Sequence, residues 1–160
     1  MKLSGAHHRR VLVLCAALAG TPMLAGLAPT AAHAQTQAPL AAKLSNQQLD
    51  SLTAPIALYP DALLAQVLMA STYPQDINAA AAWSKANSKL SGDAAVTAVA
   101  SQPWDPSVQS LVAFPQVLAT MASKPDWVTQ LGNAFLAQSR DVMDSVQRLR
   151  KQAQKAGSLK

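Results

Sequence analysis

The chain has 160 residues, half of them hydrophobic, and its 13 Lys or Arg against eight Asp and no Glu give a formal charge of +5. All of its histidines and its single cysteine (His7, His8, Cys15 and His33) fall within the first 34 positions. From Gln35 onward the usual groups of general acid–base, thiol and transition-metal chemistry are therefore excluded, which leaves Asp, Lys, Tyr, Ser and Thr as reactive side chains.

The first element is an export signal. Lys2, Arg9 and Arg10 form a cationic start, VLVLCAALAG opens an apolar run, and Ala32-His33-Ala34 supplies small residues where a signal peptidase cuts. This order predicts a general-secretion (Sec-type) signal over 1–34, cleaved between Ala34 and Gln35, and a periplasmic or secreted bacterial protein. An uncleaved anchor is the alternative, since positions 11–28 approach the ~20 apolar residues that span a bilayer. Gly20, Thr21 and Pro22 interrupt that run, so no transmembrane span is expected after the signal is removed. Leu14 is not the small residue expected before a lipid-modified Cys15. Removal of the signal leaves ten Lys or Arg and eight Asp, a net charge of +2. A strongly basic nucleic-acid binder is not implied, and no nucleic-acid partner is expected.

Residues 35–43, QTQAPLAAK, read as a flexible leader, and a helical domain is expected over 44–157 with a short tail at 158–160. Ser45 followed by Gln48 forms a capping box, and Leu44 with Leu49 occupies the positions of a hydrophobic staple, so a helix starts here and ends near Pro55. In IALYPDALLAQVLMAS, Pro60 suits a first helical turn and Asp61 the positive end of the dipole. Leu63 with Val67 and Leu64 with Leu68 make a broad apolar face for a central helix. Tyr73-Pro74 begins the next helix, through Asp76, Ile77, Ala80 and Trp83, where Ala79–Ala82 permits close helix approach. NSKLSGD is a turn into a short helix capped near Ser91, running through Val96 and Val99. Asp105-Pro106 is an N-cap with a first-turn proline, followed by Val108, Leu111 and Val112 at helical spacing. Pro115 and Pro125 mark two more starts.

The last helix is expected from about Asp126 to Ala156. Val128, Phe135, Val142 and Leu149 recur every seven residues, with Leu131 and Val146 in neighbouring rows, so one stripe faces a partner. Beyond Leu149 the pattern is polar and basic, which predicts that the helix projects from the body until Gly157 stops it. An internal echo is also present: IALYPDALLAQVLMASTYPQDI resembles LVAFPQVLATMASKPDWV in its aromatic-proline start, its MAS triplet and its following proline. A duplicated helical hairpin and chance similarity in an Ala-rich chain both account for it.

The segments LTAPIALYPDALLAQVLMASTYP, SQPWDPSVQSLVAFPQVLATM and DWVTQLGNAFLAQSRDVMDSVQRLRKQAQ resemble an exported bacterial family known as domain of unknown function number 3300. The resemblance covers Leu49 to about Leu159. It implies an α-helical exported domain and supplies no activity, substrate or catalytic residue. Many relatives continue into a proline-, tyrosine- or glutamine-rich tail, whereas this sequence stops at Lys160, so the expectation covers the helical domain alone.

Asp61, Asp76, Asp93, Asp105 and Asp126 each sit in or just before the first turn of an expected helix, where free backbone N–H groups stabilise a carboxylate. Capping accounts for them without catalysis, which would need a cleft and a raised pKa on one partner. Asp144 and Arg148 make a favourable i,i+4 pair. Met69, Met121 and Met143 could offer thioethers to copper(I), but they lie scattered on apolar faces and suit core packing. No cofactor or metal is expected. Trp104, in the rigid PWDP turn, and the basic end with Arg148, Arg150, Lys151 and Lys155 form the candidate interaction surface; solvated helix-end cations are the plainer reading of the latter.

These residues together predict an all-α, single compact bundle of about six to seven helices with a long C-terminal helix. Its expected role is a non-catalytic interaction or structural module of the bacterial envelope, not an enzyme, meeting another envelope protein or an envelope polymer. An aspartate-dependent hydrolase or small-ligand binder acting on cell-wall material is the alternative.

Overall fold

The computed structural model describes residues 43–158. The signal, its cleavage site at Ala34 and Gln35, the leader up to residue 42 and the last two residues lie outside the described residues. Seven helices follow one another among the described residues: α1 (Asn46–Thr53), α2 (Asp61–Ala70), α3 (Pro74–Ala86), α4 (Gly92–Ala98), α5 (Pro106–Leu111), α6 (Pro115–Ala122) and α7 (Pro125–Lys155).

Local chemistry sets most of their ends. Both halves of the capping box form at α1: Ser45 Oγ accepts from the Gln48 amide at 3.3 Å, and Gln48 Oε1 accepts from the Ser45 amide at 2.9 Å. Leu44 packs on the core that contains fully buried Leu49, as a staple requires. Pro60 takes the N-cap position of α2 itself, one residue earlier than its sequence pattern suggested, and Asp61 occupies the first turn. At the far end, Gly157 at φ 73° closes α7. Its amide donates to Gln154 O at 3.0 Å, and the Ser158 amide donates to Ala153 O at 2.8 Å, the paired bonds of a Schellman stop.

The internal echo corresponds to two helix junctions of similar build. Ser71 and Ser123 cap α2 and α6 in the right-handed helical region. Each donates its hydroxyl to the carbonyl three residues back, Leu68 O at 2.6 Å and Thr120 O at 2.8 Å. The residues before the next proline also match, Tyr73 at φ −124° and ψ 62°, Lys124 at φ −131° and ψ 64°. A residue preceding proline is pushed out of the α region, so each X-Pro step ends one helix and aims the next. Phe114 before Pro115 repeats this geometry at φ −120° and ψ 70°, so the junction is a local device used three times.

α2 is central, packed against α3, α5 and α7, while α3 packs on α6, α4 on α5, and α1 on α7. Leu64, Val67 and Leu68 of α2 meet Val108, Leu111, Leu118, Leu131 and Val146 in one buried cluster. Gly132 lets α7 cross the end of α2: a Cβ there would stand 2.2 Å from the Ser71 carbonyl oxygen. Phe135 and Leu149, two members of the seven-residue stripe, are half-buried against this cluster, and Val128 and Val142 are fully enclosed.

α7 is not straight. Gln138 has φ −151° and ψ 52°, outside the helical region, and divides it into two arms. The bend follows from two contacts. Trp127 Nε1 donates to Leu52 O at 2.9 Å, and Ser145 Oγ lies 2.8 Å from Thr53 Oγ1. Leu52 and Thr53 are adjacent, yet 18 residues of straight helix would hold Trp127 and Ser145 ~27 Å apart. The short helix α1 therefore lies in the angle between the arms.

Candidate functional site

Three of the five residues of the expected interaction surface, Trp104, Arg148 and Arg150, are partly buried. Trp104 is half-buried against the core, with its carbonyl accepting from Gln109 Nε2 at 3.0 Å. Arg148 faces α1, where it donates to the Asp50 carboxylate, Nη2 at 2.7 Å and Nε at 3.2 Å. Arg150 reaches the loop between α1 and α2: Nε donates to Ala57 O at 2.8 Å, Nη2 to Tyr59 O at 2.7 Å, and Nη1 pairs with Asp61. α7 thus remains fastened to the body one residue past Leu149. Only Lys151 and Lys155 of the group are exposed.

Six of the eight aspartates stand at helix starts or joints. Asp141 and Asp144 lie within α7, and Arg148 pairs with Asp50, not with Asp144, the partner that the i,i+4 spacing had suggested. Asp105 accepts from the Ser107 amide at 2.9 Å and from the Ser107 hydroxyl, starting α5 as its placement suggested. The Ser107 hydroxyl chiefly, with the amide adding to it, holds the Asp105 carboxyl below the usual carboxylate range. Asp76 stands in the first turn of α3, and its carboxylate also accepts from the Asp105 amide at 2.9 Å, so it ties α3 to the turn before α5. Among the described residues no group of three or more His, Cys, Asp or Glu is placed to hold a metal ion.

The most developed polar constellation, at the α1–α7 joint, was not singled out from the sequence. Asp50 accepts from Ser145 Oγ at 2.6 Å as well as from Arg148. Arg148 above all, then Ser145, holds the Asp50 carboxyl below its ordinary value. Thr53 and Ser145 are wholly buried, and Thr53 Oγ1 donates onward to Leu49 O at 2.9 Å. One row of α7 explains the arrangement. Leu131, Gln138 and Ser145 are spaced by seven, and all three are buried, Gln138 reaching Leu44 just ahead of α1 and Ser145 reaching Asp50 and Thr53 within it. The spacing was a usable signal; without α1's position, however, two polar residues in that row read as solvent-facing.

Gln138 is 6 % exposed, and its Nε2 reaches Leu44 O at a long 3.4 Å while its Oε1 is buried with no partner. It lines a cavity of about 190 Å³ between residues 43–44 and the first arm of α7. A wider groove of about 540 Å³ separates α3 from α6 over Ala81, Ala82, Ala119 and Ala122. Another, of about 520 Å³, is lined by Leu58, Asp61, Arg150 and Lys151. Of these three, only the last includes a carboxylate, and that one is paired with Arg150.

The family model described as protein of unknown function (DUF3300) matches residues 45–160. A relative named uncharacterized protein YacH, from Escherichia coli strain K12, is 60% identical over 125 residues, covering 78% of this chain and 20% of the relative. The chain thus spans about a fifth of that relative's length. No solved structure matches.

Proposed function

Because the chain belongs to the DUF3300 family, whose function is unknown, we propose from its own geometry that this helical domain is a non-catalytic interaction or structural module of the bacterial envelope. The observation that carries the reading is where the charges go. Asp50, Asp61, Asp76 and Asp105, with Arg148 and Arg150, are engaged within the fold, holding one helix or loop to another. The two carboxylates with shifted pKa values are both lowered, the opposite of what a general acid needs at neutral pH. Three large apolar side chains stay exposed: Leu136 is 72 % exposed, and Leu58 and Phe114 about half; Lys151, which lines one groove with Leu58, and Lys155 are exposed as well. Each of the three apolar side chains offers a contact point at which a partner can be sought.

A photo-crosslinking residue placed at Leu136, and separately at Phe114 or Lys151, tests this in intact cells. The expected result is a discrete adduct from at least one position, with the trapped partner an envelope protein or polymer. Turnover of purified cell-wall fragments by the protein, lost in Asp76→Asn or Asp105→Asn, would overturn it in favour of an aspartate-dependent hydrolase.

A further inference from the structure

Between α1 and the first arm of α7 runs a groove of about 470 Å³, within the ~300–1,000 Å³ range of ligand pockets. Leu44, Gln47, Gln48 and Ser51 line one side of it, and Trp127 and Gln130 the other. None of its lining residues is charged, so an ionic ligand would lose water there without gaining an opposite charge. The occupant is therefore neutral. Both walls are fixed before anything binds, because Trp127 Nε1 donates to Leu52 O at 2.9 Å and Asp50, further along α1, pairs with Arg148 of α7. A site fixed in advance loses little freedom on binding.

Trp127 sets this groove apart. Its N–H is engaged inside the fold and its ring also lines a small space shared with Tyr59 and Met121, so the indole stands between core and groove and offers a ligand only apolar surface. An aromatic face is electron-rich and suits C–H groups. Around the ring stand hydrogen-bonding groups. Gln48 Oε1 is taken by the Ser45 amide, which leaves its Nε2 to donate, while exposed Gln47 and Gln130 each bring a donor and an acceptor. The Ser51 hydroxyl donates to Gln47 O at 3.1 Å and remains an acceptor. A pyranose ring divides its own surface in the same way, with C–H groups on its faces and hydroxyls around its rim. An acetamido substituent adds an amide, which pairs with a glutamine amide edge to edge, and a methyl group, which suits half-buried Leu44. Peptides fit less well, since an extended one takes main-chain bonds from a strand edge and a helical one needs an apolar groove.

We propose that this groove binds a neutral, N-acetylated oligosaccharide. One ring lies on Trp127, its acetamido group pairs with Gln47 or Gln130, and its hydroxyls meet Gln48 and Ser51. The smaller hollow at Asn133 shares Leu44 and Gln130 with the groove, so the track continues along α7 and a linear oligomer fits better than a single sugar. This site lies away from the exposed apolar residues considered above, and neither proposal depends on the other.

The test is a titration of the purified protein with the β-1,4-linked trimer of N-acetylglucosamine, followed by NMR of the indole N–H groups and the glutamine side-chain amides. Saturable shifts are expected at Trp127 and Gln130, with none at the indoles of Trp83 and Trp104. The β-1,4-linked trimers of glucose, which lacks the acetamido group, and of glucosamine, which carries a charged amine, should each bind at least about tenfold more weakly. Gln47→Ala and Gln130→Ala each remove an exposed side chain, so the melting temperature should hold while binding weakens roughly two- to tenfold. Four outcomes overturn the proposal: no saturable shift up to the solubility limit, a glucose trimer that binds as tightly as the acetylated one, a polyproline peptide that binds more tightly than either, or a folded protein carrying both substitutions that binds as the parent does.

Discussion

Asp105 and Asp50 are two carboxylates with similar chemistry and very different visibility in the sequence. Asp105 works on its own neighbourhood: it accepts from the amide and hydroxyl of Ser107 two positions on, and the Asp-Pro step announces that role. Asp105→Ala should therefore lower stability by about 0.5–2 kcal/mol, with Asp105→Asn or Asp105→Ser recovering most of the loss. Chemical denaturation of the three variants checks this, and Ala and Asn both as stable as the parent would remove the cap from the account. Asp50 instead works across the chain, taking its bonds from Ser145 and Arg148, 95 and 98 residues away. It sits late in α1, where no cap is needed, so nothing local marks it. Both carboxyls are held below the ordinary aspartate value of ~3.9 by groups present only in the folded state. At pH values between the folded and unfolded pKa the unfolded chain binds more protons, so stability rises with pH there. Their contribution is thus complete above the unfolded value and is lost as pH falls through the depressed folded values. Denaturation midpoints should show this acid loss below about pH 4, and Asp50→Asn should flatten part of it. A profile unchanged by that substitution would mean the Asp50 joint does not form.

At the scale of the element, the helices were legible because proline and capping residues act locally, whereas the bend in α7 was not. The seven-residue stripe from Val128 to Leu149 runs through Gln138 without interruption, and no residue there is a helix breaker. The break comes from outside the helix, from an α1 segment that must touch Trp127 on one arm and Ser145 on the other. Tertiary contact overrides local preference here, as it commonly does. Gly132 was equally silent, since a glycine in an Ala-rich helix reads only as a small residue. In place it is what lets the first arm cross the end of α2, with no room for a Cβ against the Ser71 carbonyl. Gly132→Ala pits two effects against each other: alanine favours the helix by ~1 kcal/mol, and overpacking against fixed backbone costs about 1–3 kcal/mol. The obstructing atoms belong to backbone at 2.2 and 2.8 Å, which cannot swing aside as a flexible side chain would. The substitution should therefore be destabilising on balance, and thermal unfolding measures it; a raised melting temperature would show that α2 and α7 stand further apart than described.

Across the whole molecule, the order and number of helices could be read from the sequence, and the all-α class with them, because each start carries its own Ser, Asp or Pro. Which helices pair could not be read, and neither could the engagement of two candidate surface residues: Arg148 and Arg150 looked like a free basic end but had partners near the N-terminal end of the domain. None of the described helices is long and apolar enough to cross a membrane. The stretch with that kind of composition is the apolar run after Arg10, ahead of Ala32-His33-Ala34. The first 34 residues also differ in chemistry from the rest, since they hold every histidine and the one cysteine, while the helical domain begins its first cap at Ser45. A segment so unlike the domain it precedes, ordered as cationic, apolar and then small, is what a secretory peptidase recognises. We therefore expect the protein to be exported and cut between Ala34 and Gln35, ahead of the helical domain and its Ser45 cap. N-terminal sequencing of the protein recovered from the periplasm or medium should begin at Gln35. Recovery only of protein that still carries Met1, and only in membranes, would replace the cleaved signal with an anchor and place the helical domain on a tether.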